Sequence, residues 1–166
     1  MWKTIIDIHV NPHEMKKVAI EDTNGHASRA FQPLTEALGA TGLALNYYER
    51  ASGEHIGDCY HRHHKQEEVF YVLSGTATFE TEDGDVEVDA GELIRFAPGE
   101  WQQGRNDGGD RLVVLALGAP RSDEPMDLRR TCPSCEERTP AVPEESDGEV
   151  VFYCEVCGAE TGRYGW

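Results

Sequence analysis

Between Thr41 and Gly118 the chain never runs far without a turn signal: ASGE, LSGT, EDGD, DAGE, APGE and NDGGD break it at short, even intervals. Glycine beside Asp, Asn, Ser or Pro supplies the backbone angles that reverse a chain, which leaves little room for helices of ordinary length. The segments in between are LALNYYER, EVFYVL, TATFET, ELIRFA and RLVVLAL, alternating or continuously apolar and rich in β-branched and aromatic residues. Short strands at even spacing predict an antiparallel all-β barrel or sandwich. PLTEAL predicts one short helix upstream of it. The first thirty residues are expected to add a strand, so that 1–40 forms an N-terminal extension packing on a barrel over 41–118.

With 166 residues the chain can bury one core and carry a small appendage. APRSDEP, with two prolines and no apolar period, reads as a linker over 119–127, followed by a different module over 128–166. Four of the five cysteines lie in that module as Cys132-Pro-Ser-Cys135 and Cys154-Glu-Val-Cys157-Gly, with eighteen residues between the pairs. Two C-x2-C knuckles at this spacing predict one tetrahedral structural zinc, with SDGE as the turn and VVFY as a strand of a zinc ribbon. Two disulfides are the competing reading, and a reducing compartment argues against them. A module this small has too little core to fold unaided, so its metal would supply folding free energy.

Acidic residues number 31 against 15 basic ones, a formal charge of −16. Such a surface repels nucleic acid and anionic lipid. The ribbon itself carries Glu136, Glu137, Glu144, Glu145, Asp147 and Glu149, which favours a protein partner or plain stabilisation over DNA. MWKTIIDIHV is interrupted by Asp7 and His9 and does not read as a secretory signal, and LVVLALGA is too short to span a bilayer. A cytoplasmic protein without membrane contact is the expectation.

The candidate chemistry sits in HRHHKQEEVFYVLSG, residues 61–75. Residues two apart in a strand share a face, so His61 and His63 point the same way with Cys59 beneath them, while Tyr60, Arg62 and His64 face opposite. After a short break the next strand begins with Glu68, whose face continues through Phe70 and Val72. A short β-hairpin would thus bring two imidazoles and a carboxylate together, a donor set that suits iron, manganese, zinc, nickel or copper and leaves positions open. His64 and Glu67 are expected outside; His9, His13, His26 and His55 carry no comparable constellation and read as surface. Arg95, Trp101, Tyr47 and Tyr48 read as ordinary barrel packing, GDRLVVLALGAP as a core strand, and Cys59 as a small buried hydrophobe beside the metal-facing side.

The stretch resembles the first motif of the cupin superfamily, here His61-x-His63-x4-Glu68-x6-Gly75, although His55 stands where that motif has its leading glycine and Gly57 lies nearby. GELIRFAPGEWQQGRN resembles the second motif, with Gly91, Ala97 at the proline position, Pro98, Gly99, Gln102 where histidine belongs, and Asn106. With its appendage the chain is similar to small cupin plus zinc-ribbon proteins of halophilic archaea. The resemblance implies an antiparallel jelly-roll β-barrel whose mouth holds a divalent metal on His61, His63 and Glu68, with Gln102 as a weaker fourth ligand through its amide oxygen. Cys59, Phe70 and Asn106 are candidates for the substrate pocket. It further implies a homodimer, and a small oxygen-bearing ligand that is either isomerised or cleaved with dioxygen. A non-catalytic metabolite sensor, whose ribbon contacts a protein, is the alternative.

Overall fold

A computed structural model describes residues 15–20, 31–121 and 124–165. Residues 15–20 form no strand, and the rest of the first thirty residues, where a strand was expected, lies outside the described residues with His9, His13 and His26. From Phe31 onward the elements are β1 (Phe31–Pro33), α1 (Leu34–Leu38), β2 (Ala44–Arg50), β3 (His55–Arg62), β4 (Glu67–Ser74), β5 (Thr76–Thr81), β6 (Gly84–Asp89), β7 (Leu93–Phe96), β8 (Gln102–Arg105) and β9 (Leu112–Ala119). Four more follow: β10 (Asp127–Cys132), β11 (Glu137–Ser146), β12 (Glu149–Cys154) and β13 (Glu160–Gly165). The expected all-β antiparallel class is what the structure shows, and PLTEAL does form the short helix. Among the described residues no helix is long and apolar enough to cross a membrane.

The strands form two sheets, one of five in the order β1-β2-β9-β4-β7 and one of eight in the order β13-β12-β11-β10-β3-β8-β5-β6. β9 is the middle strand of the first, and its alternation buries Leu112, Val114, Ala116 and Gly118 on one side, so the apolar run at 112–119 is core. These residues meet Ile56, Ala77, Phe79 and Val88 of the larger sheet and Phe70, Val72 and Phe96 of the smaller one. Phe70, Phe79 and Phe96 pack with ring centroids 4.8, 5.5 and 6.1 Å apart. Burying each such side chain contributes about 1.5–3 kcal/mol.

β6 and β8 were not among the expected strands, because both are dominated by polar residues and glycine. β8 is QQGR, and its Gly104 is where Phe79 and Ile56 press: a Cβ there would lie 2.8 and 2.9 Å from their side chains. A residue chosen for close approach carries no strand signal of its own. The structure also corrects the hairpin expected at 61–68: β3 lies in the larger sheet and β4 in the smaller, so the segment 63–66 arches from one sheet to the other. One further join was not foreseen. β10 pairs with β3 through Asp127↔Arg62, Leu128↔His61 and Arg129↔Tyr60, and with β11 on its other side. The cysteine-bearing strands therefore continue the barrel sheet.

Gly75, the last residue of the first motif, has φ +79, and a Cβ would lie 2.9 Å from the Arg111 carbonyl oxygen and 3.1 Å from Leu112 Cα. Both the angle and the backbone contact oppose a side chain. Gly75→Ala is expected to destabilise the barrel by about 2–3 kcal/mol, read as a lowered urea midpoint with an unchanged slope.

Candidate metal centre

The arch places Glu68, at the start of β4, against His61 at the end of β3 and His63 just beyond it. Glu68 Oε2 lies 3.5 Å from His61 Nε2 and 3.3 Å from His63 Nε2. The ligand atoms of all three fall within 4.8 Å of one another. Donors held about 2.1 Å from a common ion stand roughly 3.0–3.4 Å apart, so the cluster is close to ligation geometry. Gln102 joins from β8, which pairs His61↔Gln102, and is 2% exposed. Its Nε2 donates to Glu68 Oε2 at 2.8 Å and approaches His61 Nε2 at 3.0 Å.

The tautomer of His61 follows from its other nitrogen. Nδ1 lies 3.0 Å from the Cys59 carbonyl oxygen, an acceptor only, so Nδ1 carries the proton and Nε2 presents its lone pair to the cluster. Burial opposes ionisation of Glu68, but the two imidazoles outweigh it and hold the carboxyl at about 2, so it is anionic at neutral pH. Burial likewise opposes the charged form of His61, and the Glu68 carboxylate outweighs it and raises the pKa. Two polar atoms of this group are buried with no hydrogen-bond partner, His63 Nε2 and Gln102 Oε1. Orphans of this kind are rare in a folded core unless something else satisfies them.

Of the three residues expected to line a substrate pocket, Cys59 borders a cavity shared with Arg129 and Arg130 of β10, while Phe70 and Asn106 are almost fully buried. Cys59 brings its carbonyl, not its thiol, to the cluster; the thiol lies 3.7 Å from Arg130 Nη1, and burial raises its pKa. Phe70 is 2% exposed within the aromatic core. Asn106 donates to the carbonyls of Arg50 and Asp110 and accepts from Gly108 N–H, so it clamps loops together and is spent on backbone. His64 and Glu67 face outward, ion-paired to Asp127 and Arg95. Trp101 stacks on Tyr60 at 5.2 Å, on the side of β3 opposite His61. Tyr48 packs against the core, where burial and then the charge of Glu68 raise its phenol pKa.

A second cluster lies in the continuation of the sheet. Tight turns follow Cys132 and Cys154, closed by Glu136 N–H to the Cys132 carbonyl at 2.9 Å and Gly158 N–H to the Cys154 carbonyl at 2.8 Å. They bring all four sulfurs within 4.8 Å, with Cys132 and Cys157 3.5 Å apart and Cys135 and Cys154 4.0 Å apart. Tetrahedral thiolates around zinc stand about 3.8 Å apart, whereas a disulfide needs about 2.05 Å. The Thr139 hydroxyl, 3.1 Å from Cys154 Sγ, lowers the pKa of that thiol. Thr139 and Arg130 escaped the sequence reading because their partners are reached only through strand pairing.

Residues 47–118 match the family described as Cupin domain. No curated protein matches the chain. Among solved structures it is similar to a protein of Acidithiobacillus ferrooxidans proposed to be a sugar phosphate isomerase, at 28% identity and a TM-score of 0.54, over 66% of this chain and 68% of that one. A sugar phosphate isomerase of the cupin superfamily from Silicibacter pomeroyi aligns at 16% identity and a TM-score of 0.57, over 88% of this chain and 92% of that one. A cupin protein of Bacteroides fragilis aligns at 19% and 0.53, over 70% and 91%. The last two bear on the fold alone. The match over 47–118, joined to these cupin-fold neighbours and the His61, His63 and Glu68 cluster, supports placing the barrel in the cupin superfamily.

Proposed function

We propose that the barrel holds a divalent metal on His61, His63 and Glu68 and acts on a small oxygen-bearing metabolite, while the four cysteines hold a structural zinc in a ribbon module. The observation that carries the barrel reading is the buried, unpartnered His63 Nε2, aimed at the same carboxylate oxygen as His61 Nε2. An ion between them satisfies that nitrogen and the inward lone pair of His61 together. Gln102 Oε1, the other orphan, is the neutral donor this side chain can offer.

When bound, such a metal supplies Lewis acidity toward a carbonyl or hydroxyl oxygen. The residues do the rest. Glu68 stays ionised and neutralises positive charge, the Cys59 carbonyl fixes the His61 ring, and Gln102 Nε2 holds the carboxylate in place. Burial raises the Tyr48 phenol pKa, so this side chain stays neutral in the barrel interior and adds no charge to the site. Isomerisation of a carbonyl compound is favoured over dioxygen chemistry by the 28% identity to the Acidithiobacillus protein. A second reading, a metabolite sensor without turnover, is favoured by Gln102 already bonding to both His61 and Glu68, which blocks a coordination position.

Elemental analysis of chain purified without chelator tests the assignment. Two metals per chain are expected, with His61→Ala losing only the barrel metal. One equivalent of zinc in the wild type, unchanged by His61→Ala, removes the enzyme reading. Sugar phosphate isomerisation and oxygen-uptake assays on the two-metal protein separate the chemistries, and silence in both with retained ligand binding selects the sensor.

A further inference from the structure

We propose that Arg130 is a positioning residue for the barrel site, through which the four-cysteine module sets the orientation of His61. The inference rests on reading the two clusters as metal sites, and it concerns what couples them.

β3 is poorly supported just before the cluster. Its pairing with β8 jumps from Ile56 to His61, and its pairing with β10 stops at Tyr60, so among the described residues Gly57, Asp58 and Cys59 have no ladder partner on either side. Gly57, at φ +77, marks the irregularity. An unpaired bulge needs a side chain to hold it. Arg130 does so from β10: its Nη1 donates to the Asp58 carbonyl and lies 3.7 Å from Cys59 Sγ. The next carbonyl along, that of Cys59, is the acceptor that fixes His61 Nδ1. The guanidinium thus holds the peptide adjacent to the one that orients a metal-facing imidazole.

Arg130 is itself held by the cysteine module. Nε donates to the Thr161 carbonyl at 3.2 Å and Nη2 to the Tyr164 hydroxyl at 2.8 Å, both on β13. The guanidinium carbon sits 5.0 and 5.2 Å from the ring centroids of Phe152 and Tyr164. Gly162 leaves it room: a Cβ there would collide with Nη2 and lie 2.8 Å from the guanidinium carbon. β12 and β13 flank the knuckle of Cys154 and Cys157, so the seat exists only while that knuckle is folded. Metal at the cysteines and metal in the barrel therefore favour each other, and coupling of this kind is reciprocal.

The test uses the full chain reconstituted with one equivalent of zinc, in wild type, Arg130→Met and Gly162→Ala. The last variant pushes the guanidinium off its seat from the module side, meeting only the mobile end of Arg130. Nitrogen-15 spectra of the histidine rings report the His61 tautomer without any barrel metal. The Nδ1-protonated form is expected in the wild type and a mixture in both variants. Cobalt titration of the barrel should then show affinity about tenfold weaker in the variants, the usual scale for removing an outer-sphere support. Zinc retained with an unchanged His61 tautomer in both variants overturns the inference. A wild type that takes up no barrel cobalt overturns the metal reading instead, and the tautomer spectra still decide the role of Arg130.

Discussion

Cys132→Ser is expected to abolish zinc binding at the carboxy-terminal cluster and to unfold β11–β13 while the barrel strands survive. The buried apolar set of that region is Cys132, Ala141, Val151, Phe152 and Cys154, of which two are themselves ligand candidates. Three remaining apolar side chains contribute at most about 9 kcal/mol at 1.5–3 kcal/mol each. Zinc binding to thiolates supplies about 10–16 kcal/mol in small metal-folded domains, more than that whole apolar set, so the metal is the larger contribution to holding β11–β13 folded. Hydrogen exchange followed by mass spectrometry measures the outcome: β11–β13 should lose protection, whereas β2, β4 and β9, buried against the aromatic core, should keep theirs. Full protection of β11–β13 in the serine variant, or in wild type stripped of zinc, refutes a metal-folded module. Disulfide reading is tested alongside, since reductant without chelator should change nothing.

What the sequence made legible is whatever depends on spacing within one turn or one strand. His61 and His63 share a face because they are two apart, and each cysteine knuckle closes within five residues, so local geometry is written in the chain. Gln102 was reachable only through the second motif, since QQGR has neither apolar alternation nor β-branched residues, and its burial comes from the neighbours it faces on β3 and β5. Asn106 belongs to the same motif, and the bonds its amide makes, to the carbonyls of Arg50 at the end of β2 and Asp110 before β9, depend on tertiary contacts that spacing does not reveal. Arg130 and Cys59 lie 71 residues apart, and their contact needs β10 to pair with β3. A reading that put a linker at 119–127 and an independent module after it had no reason to look for that pair. The arch at 63–66 was missed for a related cause: two strands with a short connection resemble a hairpin unless the partners of each strand are known.

Glu68→Gln should separate the metal from the fold. The substitution keeps the shape of the side chain and leaves an oxygen for the Gln102 amide, which now donates to Glu68 Oε2 at 2.8 Å. It removes the one anionic donor among the three clustered groups, in a place where burial makes charge matter most. Metal-free protein is therefore expected to melt within about 3 °C of the wild type, the shift that about 1 kcal/mol produces in a chain of this size. Affinity for a divalent metal in the barrel should fall at least ~100-fold, more than outer-sphere changes alone achieve. Competition against a chromophoric chelator, with the cysteine site zinc-loaded, measures it. The same titration has a definite pH sense in the wild type. A protonated imidazole has no lone pair for a metal, and Glu68 raises the His61 pKa, so affinity should weaken as pH falls through that raised value. In Glu68→Gln the carboxylate that raised it is gone, so the decline should begin at lower pH. Unchanged barrel affinity in the glutamine variant would mean that the ion does not touch this carboxylate, and the short distances to His61 and His63 would then belong to a buried polar cluster alone.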